Sequence, residues 1–255
     1  MTKGFGFDAS SLEQFIITPT VQEMPWGDFA DVAVNPVFAL QRLEVRSGAA
    51  LSFRLSRGND AVLFVESGTL QLASAVVVPV GKLVALTPGV AYNFSVTQAT
   101  VAYLYVRTPE KFLEPVRTKK VAIPEVSEPT DVRAKYWGDI RTIVSREIAG
   151  KRMFLKAQTH GSMEFHVKKH ESYYVHSGEL ALLLRAGRAE NRIFRVPAGT
   201  AVYLPPGLMD QRGAITDTII FEISTADDDT DSYLVEDGQK TPMTGFAELL
   251  KNKNT

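Results

Sequence analysis

All four histidines of this 255-residue chain fall between His160 and Gly178, in the run HGSMEFHVKKHESYYVHSG. The run reads as two short strands, SMEFHVK and SYYVHSG, joined by a polar turn. Side chains alternate between faces along a strand, so His166 and Lys168 are expected on one face and Phe165 and Val167 on the other. Glu171 follows the turn and can fold back over the polar face. An imidazole, an amine and a carboxylate then meet in one place, and any proton-transfer chemistry of the chain is expected there. His170, beside the turn, reads as a rim residue, and His160 and His176 as surface or core histidines.

The bulk composition sets the frame. Apolar residues make up 45% and charged residues 22%, with a net charge of −1, which is ordinary for a soluble globular chain. No lysine/arginine run is long enough to form a nucleic-acid surface. The absence of cysteine excludes disulfides, thiolate metal sites and cysteine nucleophiles, and agrees with a reducing compartment. The stretch MTKGFGFDASSLEQFI lacks the apolar core of a signal peptide, and no apolar run nears the roughly 20 residues that span a bilayer. A cytoplasmic protein without nucleic-acid or membrane partners is expected.

The elements that must position the histidine run are strands. Residues 1–20 read as an arm, with Ser10 or Ser11 able to cap a short helix through Phe15. From 21 to 107 short runs rich in β-branched and aromatic residues follow one another (PVFALQRLEV, LSFRL, AVLFV, TLQLASAVVV, KLVAL, AYNFSV, TVAYLYV), separated by Ser-Gly, Pro-Gly or Gly-Asn turns. That spacing is the signature of an all-β sandwich or barrel. Residues 108–134 carry Pro109, Pro115, Pro124 and Pro129 and read as a linker, with a helical turn at Glu110–Leu113. Strands resume over 135–225. The tail, 226–255, opens with the acidic ADDDTD, read as a solvated turn, and closes with a short helix at Thr244–Lys251, capped by Thr244.

The second strand series repeats the first. Trp26-Gly27 returns as Trp137-Gly138, and Ser67-Gly68-Thr69-Leu70 as Ser177-Gly178-Glu179-Leu180. Val78-Pro79-Val80-Gly81 with Pro88-Gly89 returns as Val196-Pro197-Ala198-Gly199 with Pro206-Gly207. Three landmarks in the same order imply a duplicated unit. Aligning Phe53 with Phe165 sets Arg54 against His166 and Tyr92 against Asp210, so the first copy lacks the polar residues of the second.

With these residues in view, the chain resembles the cupin superfamily, and its duplication a bicupin. His166, Glu171 and Gly178 fit the spacing of the family's first motif, with Lys168 at its second histidine position. Pro197-Ala198-Gly199 and Pro205-Pro206-Gly207 fit the second motif, with Asp210 at its histidine position. The closer resemblance is to bicupins of the phosphomannose-isomerase-like and sugar-isomerase-like kind. It rests on Trp137-Gly138, on the HxKKxE run of His166, Lys168, Lys169 and Glu171, and on the closing EIST-acidic-DxY segment (Glu222–Thr225, Asp231, Tyr233). It covers roughly 130–238 well and 20–106 loosely.

The resemblance implies duplicated jelly-roll β-barrels (the double-stranded β-helix) with the pocket in the C-terminal one. It also implies one divalent metal ion (manganese, iron, zinc or nickel) held by His166, Glu171 and Asp210, which are ligands suited to hard cations. Two facing carboxylates need a positive partner. The ammonium of Lys168 can take the cation's place, leaving the chain without a metal. The expected catalytic groups are Glu171, Asp210 and Lys168, and the expected substrate-binding groups are Tyr173, Tyr203 and Arg212. Two functions stay open. One is a sugar or sugar-phosphate isomerase or epimerase, with Glu171 and Asp210 as the acid–base pair. The other is a non-catalytic bicupin that binds a carbohydrate or anion, or serves as a structural or sensor module. A homodimer is expected of either.

Overall fold

In this computed structural model the described residues are 9–72, 76–112 and 124–240. They are almost wholly β-strand, as the short apolar runs and glycine turns require. The helix expected at Thr244–Lys251 lies outside the described residues, as does Leu113 of the turn expected at Glu110–Leu113. No helix among the described residues is long and apolar enough to cross a membrane.

The chain divides into two compact units. One comprises the described residues of Pro19–Val132 and Arg141–Gly150, the other those of Met1–Thr18, Arg133–Ile140 and Lys151–Thr255. In the first, a seven-stranded sheet runs in the order Val126–Ser127, Leu83–Leu86, Ala61–Ser67, Thr100–Val106, Ala39–Val45, Gly27–Val34, Val21–Met24. A four-stranded sheet runs Ala50–Arg54, Ala91–Ser95, Thr69–Leu72, Val76–Pro79. The second unit repeats both. Its first sheet runs Ile16–Ile17, Ala201–Leu204, Glu171–Ser177, Thr218–Thr225, and then those residues of Ile148–Leu155, Gly138–Ser145 and Asp131–Lys135 that belong to this unit. Its second runs Arg192–Pro197, Glu179–Ala186, Leu208–Ala214, Met163–His166, Ser232–Glu236. Each unit is a jelly roll, two antiparallel sheets that enclose one core.

The repeat extends to single backbone angles. Gly68 and Gly178 have φ of +76° and +82°, the left-handed region that glycine alone enters at no steric cost. A Cβ at Gly68 would lie 2.6 Å from the Ala99 carbonyl oxygen, and one at Gly178 would lie 2.6 Å from the Thr218 hydroxyl. The same tight turn therefore occupies the same place in both copies.

The acidic run is exposed from Ala226 to Thr230, as its composition suggests, but Asp231 is buried. Asp229–Asp231 forms a 3-10 turn, and Ser232–Glu236 pairs antiparallel with Met163–His166 as an added edge strand. Phe165 and Tyr233 stack with ring centroids 5.1 Å apart across that pair. The N-terminal arm likewise joins the second unit. Ile16 pairs with Val202, and Leu12 and Phe15 lie in that unit's core.

Candidate functional site

The histidine run folds as two strands joined by a turn, but they do not pair as a hairpin. Met163–His166 lies beside Leu208–Ala214 and Ser232–Glu236 in one sheet, and Glu171–Ser177 beside Ala201–Leu204 and Thr218–Thr225 in the other. The expected parity breaks as well. The first strand ends at His166, and the chain bends at Val167 and Lys168. The cause is Asp231. Its carboxylate accepts the backbone N–H groups of Val167 (3.0 Å), Lys168 (3.0 Å) and Lys169 (2.9 Å), and three N–H donors on one carboxylate close a tight loop. Burial pushes the Asp231 carboxyl up, but those donors outweigh it and hold the group below the ordinary carboxylate range. Lys168, expected in the pocket, is left exposed at the surface, and Lys169 turns inward and is buried.

Inside the second barrel Lys169 sits at the centre of an ionic cluster. Its Nζ lies 3.2 Å from Glu171 Oε1, 3.1 Å from Glu222 Oε1 and 2.9 Å from Asp227 Oδ1. Lys151 joins the same cluster, 3.0 Å from Glu222 Oε1 and 2.8 Å from Asp227 Oδ2. Burial disfavours both ammonium charges, yet Glu171, Glu222 and Asp227 around Lys169, and Glu222 and Asp227 around Lys151, more than restore them. Both lysines therefore stay protonated well beyond neutral pH.

The carboxylates divide their roles. Burial and the neighbouring Glu222 raise Glu171. Glu222 is also penalised by burial, but Lys151, Lys169 and a hydrogen bond from Glu171 hold it well below the ordinary value. Where the pair shares a proton, Glu171 is therefore the side that holds it and Glu222 the side that accepts. Glu222 lines the cavity, and Glu171 sits behind it.

His166 is fixed from the tail side. Its Nδ1 lies 2.8 Å from the Asp231 carbonyl oxygen. A carbonyl only accepts, so Nδ1 carries the hydrogen and Nε2 keeps its lone pair. That Nε2 lies 3.8 Å from Glu171 Oε2.

A second charged group adjoins the first. Arg212 reaches Glu164 Oε1 at 2.9 Å and Asp210 Oδ2 at 3.7 Å, and also donates to the Tyr173 hydroxyl. Its guanidinium lies over the Tyr173 ring, 5.0 Å from the centroid. Burial, partly opposed by Arg212 and reinforced by Glu171, lifts the Asp210 carboxyl well above its ordinary value. Tyr173 is fully buried and serves to hold Arg212. Tyr203, expected to bind substrate, points elsewhere: its hydroxyl is 2.6 Å from His170 Nδ1, and its ring packs on Phe15.

These groups border a cavity of about 360 Å³, within the range of small-molecule sites. Its walls include Trp137, Tyr136, Arg133, Lys135, Lys151, Glu164, His166, Lys169, Arg212, Glu222 and Asp227. Of the residues expected from sequence, His166 and Arg212 line it. Glu171 and Asp210 lie behind the walls, and Lys168 and Tyr203 are outside. Lys151, Lys169, Glu222, Asp227 and Asp231 were assigned no role in the sequence. Lys169, Glu222 and Asp231 stand within the segments that carry the family resemblance, whereas Lys151 has no local signal.

The expected metal triad does not assemble. Asp210 turns to Arg212, and among the described residues no three His, Asp or Glu side chains converge as a metal shell. The Lys169 ammonium stands among the carboxylates where an ion would sit. The residues present do not fit the metal.

The strand registers also identify what the first barrel holds at these positions. Ala61 pairs with Leu86 and Val106 as Glu171 pairs with Leu204 and Ser224. The Leu55 carbonyl accepts Gly89 N–H as the His166 carbonyl accepts Gly207 N–H. Leu55, not Arg54, is therefore the counterpart of His166, a one-residue correction. By the same registers Leu104 stands for Glu222, and Asn59, two residues before Ala61 as Lys169 is two before Glu171, takes the place of Lys169. Phe53, Tyr92, Phe94 and Phe112 pack against one another within this barrel, Phe53 lying 4.8 Å from Phe112 and 5.6 Å from Phe94 by centroid.

No family model and no curated protein matches the chain. Solved structures do. A two-residue deletion variant of Bacillus subtilis oxalate decarboxylase superposes with a TM-score of 0.65 at 14% identity, over 84% of this chain and 77% of that one. Another structure of that enzyme, from a study of its Mn(II) centres, gives 0.66 at 12% identity, over 87% and 79%. Likeness at such identity establishes architecture, and the chain has the fold of the cupin jelly-roll proteins, in two tandem copies.

Proposed function

We propose that the second barrel binds a small polyhydroxylated molecule, a sugar or sugar phosphate, in the cavity beside Lys169. The observation that carries this reading is the cavity's lining: charged donors and acceptors of both signs in about 360 Å³, with the Trp137 indole in one wall. Hydroxyl groups need donors and acceptors interleaved, and an aromatic face suits the apolar side of a sugar ring. Arg133 and Lys135 in the wall add positive charge for a phosphate.

Isothermal titration against neutral sugars, sugar phosphates and inorganic phosphate tests the reading. Binding of at least one sugar class is expected, weakened about tenfold or more (about 1.4 kcal/mol) by Arg212→Gln. No binding by any of them at millimolar concentration would sink it.

A second reading, isomerase-like proton transfer, is favoured by the Glu171–Glu222 pair. Glu222 faces the ligand as a carboxylate and is backed by Glu171, the side that holds a shared proton, which is the arrangement an acid–base relay needs. Glu171→Gln separates the two readings. It preserves a donor to Glu222 and hence binding, and it removes the exchangeable carboxyl proton and hence turnover of any accepted sugar phosphate.

A further inference from the structure

We infer that Lys169 is the built-in cation of the second barrel: with Lys151 it supplies the two positive charges that a divalent ion would bring, and its removal alone converts the cluster into a metal site. Three observations support this. The Lys169 Nζ lies between 2.9 and 3.2 Å from three separate carboxyl groups, Glu171, Glu222 and Asp227, so the point where oxygen ligands converge is already filled. A nitrogen ligand stands beside them, because the bond from Nδ1 to the Asp231 carbonyl leaves the His166 Nε2 lone pair directed towards Glu171, at 3.8 Å. The first barrel serves as an internal control. Where Glu171 and Glu222 are replaced by Ala61 and Leu104, Lys169 is replaced by neutral Asn59, whose side chain bonds the Thr108 carbonyl and Glu110. The cation is thus present in the copy that keeps Glu171 and Glu222 and gone from the copy that lost those two, whose own buried carboxylate, Glu110, is held by neutral donors from Asn59 and Ser56. One imidazole nitrogen and three carboxyl groups are the ligand types that manganese or zinc takes. Spaced around the ammonium they form no metal shell as they stand, and its removal leaves them free to close on an ion. The inference concerns the cluster alone and does not depend on which molecule fills the cavity.

The test uses the full chain after treatment with a chelator and dialysis. Mn(II) and Zn(II) are titrated separately by calorimetry, and bound metal is counted by mass spectrometry. Wild-type protein is expected to hold no stoichiometric ion. Lys169→Ala is expected to bind about one ion per chain, at least about a hundredfold tighter than wild type because the repelling charge is gone, and to melt higher with the ion than without it. Lys169→Arg, which keeps the charge, is expected to gain nothing, and the double variant Lys169→Ala/His166→Ala to lose most of the gain. Lys169→Ala binding no better than wild type overturns the inference. So does a wild-type chain that holds one ion and releases it on His166→Ala. If the alanine variant does not fold even with metal, the wild-type count decides alone: no ion supports the inference and one ion per chain overturns it.

Discussion

Glu171 and Glu222 share the Lys169 ammonium, at 3.2 and 3.1 Å, yet burial and the neighbouring Glu222 raise Glu171, while the lysines outweigh burial at Glu222 and hold it well below the ordinary carboxylate range. The asymmetry has a source: Lys151 and Lys169 both contact Glu222 Oε1, and only Lys169 reaches Glu171. The two glutamates should therefore respond differently to the same substitution. Glu171→Gln removes the carboxyl group whose charge is already disfavoured by burial and is expected to cost less than about 1 kcal/mol. Glu222→Gln removes a buried carboxylate that two ammonium groups share and is expected to cost about 3–5 kcal/mol. Urea unfolding of the two variants at neutral pH checks the difference.

Stability should fall on both sides of an intermediate pH. Glu222 and Asp231 have folded values below their unfolded ones, so their contribution is full above about pH 4–4.5 and is lost as pH falls through the depressed values. Glu171 and Asp210 are raised. Their contribution is full below the unfolded carboxyl range and is lost as pH rises through the folded values. Asp210→Asn cannot ionise, so melting temperatures of this variant should decline less than wild type on the alkaline side and match it on the acid side. Parallel alkaline profiles would contradict the assignment.

Asp231 organises the loop that turns Lys169 inward. Asp231→Ala leaves three backbone N–H groups without their carboxylate, at an expected cost of about 2 kcal/mol. It should also loosen His166, whose Nδ1 partner is the carbonyl of the same residue. Amide exchange at Val167, Lys168 and Lys169 measures this directly, and faster exchange is expected there ahead of the rest of the strand pair. Asp231→Asn retains an acceptor and should fall between the two.

Asp227 spreads its two oxygens over the two lysines, at 2.8 Å to Lys151 and 2.9 Å to Lys169. Its side chain is 30% exposed, against 2% for Glu222, so it is the cluster's solvent-facing acid. Asp227→Asn leaves two ammonium groups sharing one fewer negative charge. Inorganic phosphate should then bind about tenfold more tightly, about 1.4 kcal/mol, with a steeper dependence on salt. Calorimetric titrations at two ionic strengths check both.

Particular residues mark what the sequence could and could not disclose. The duplication was legible because tight turns demand glycine, and Gly68 and Gly178 recur with nearly equal φ. The two strands of the histidine run were legible as strands, but their pairing was not, since each joins a different sheet. The inward turn of Lys169 was not, because alternation is a local rule and the bend at Val167 is imposed by Asp231, more than sixty residues away. Asp231 was read as solvated with the rest of its run because an acidic run gives no sign of which member turns inward. Glu222 was masked by its neighbours, since Thr218–Thr225 is a nearly continuous buried strand in which one carboxylate does not disturb the pattern. The offset of Arg54 against Leu55 arose because sequence landmarks fix loops, whereas register fixes side chains.

The pairing of Ile16 with Val202 constrains how the molecule is made. A ribosome emits residues 16 and 17 before any strand of the barrel whose sheet they complete, and the partner strand Ala201–Leu204 emerges almost two hundred residues later. The first segment must wait while the intervening chain is synthesised, which gives this contact a long closure in sequence and places it late in assembly. Until then Ala201–Leu204 presents an unpaired edge, the kind of surface on which nascent chains associate wrongly. A clone that starts at the second barrel would carry that edge permanently.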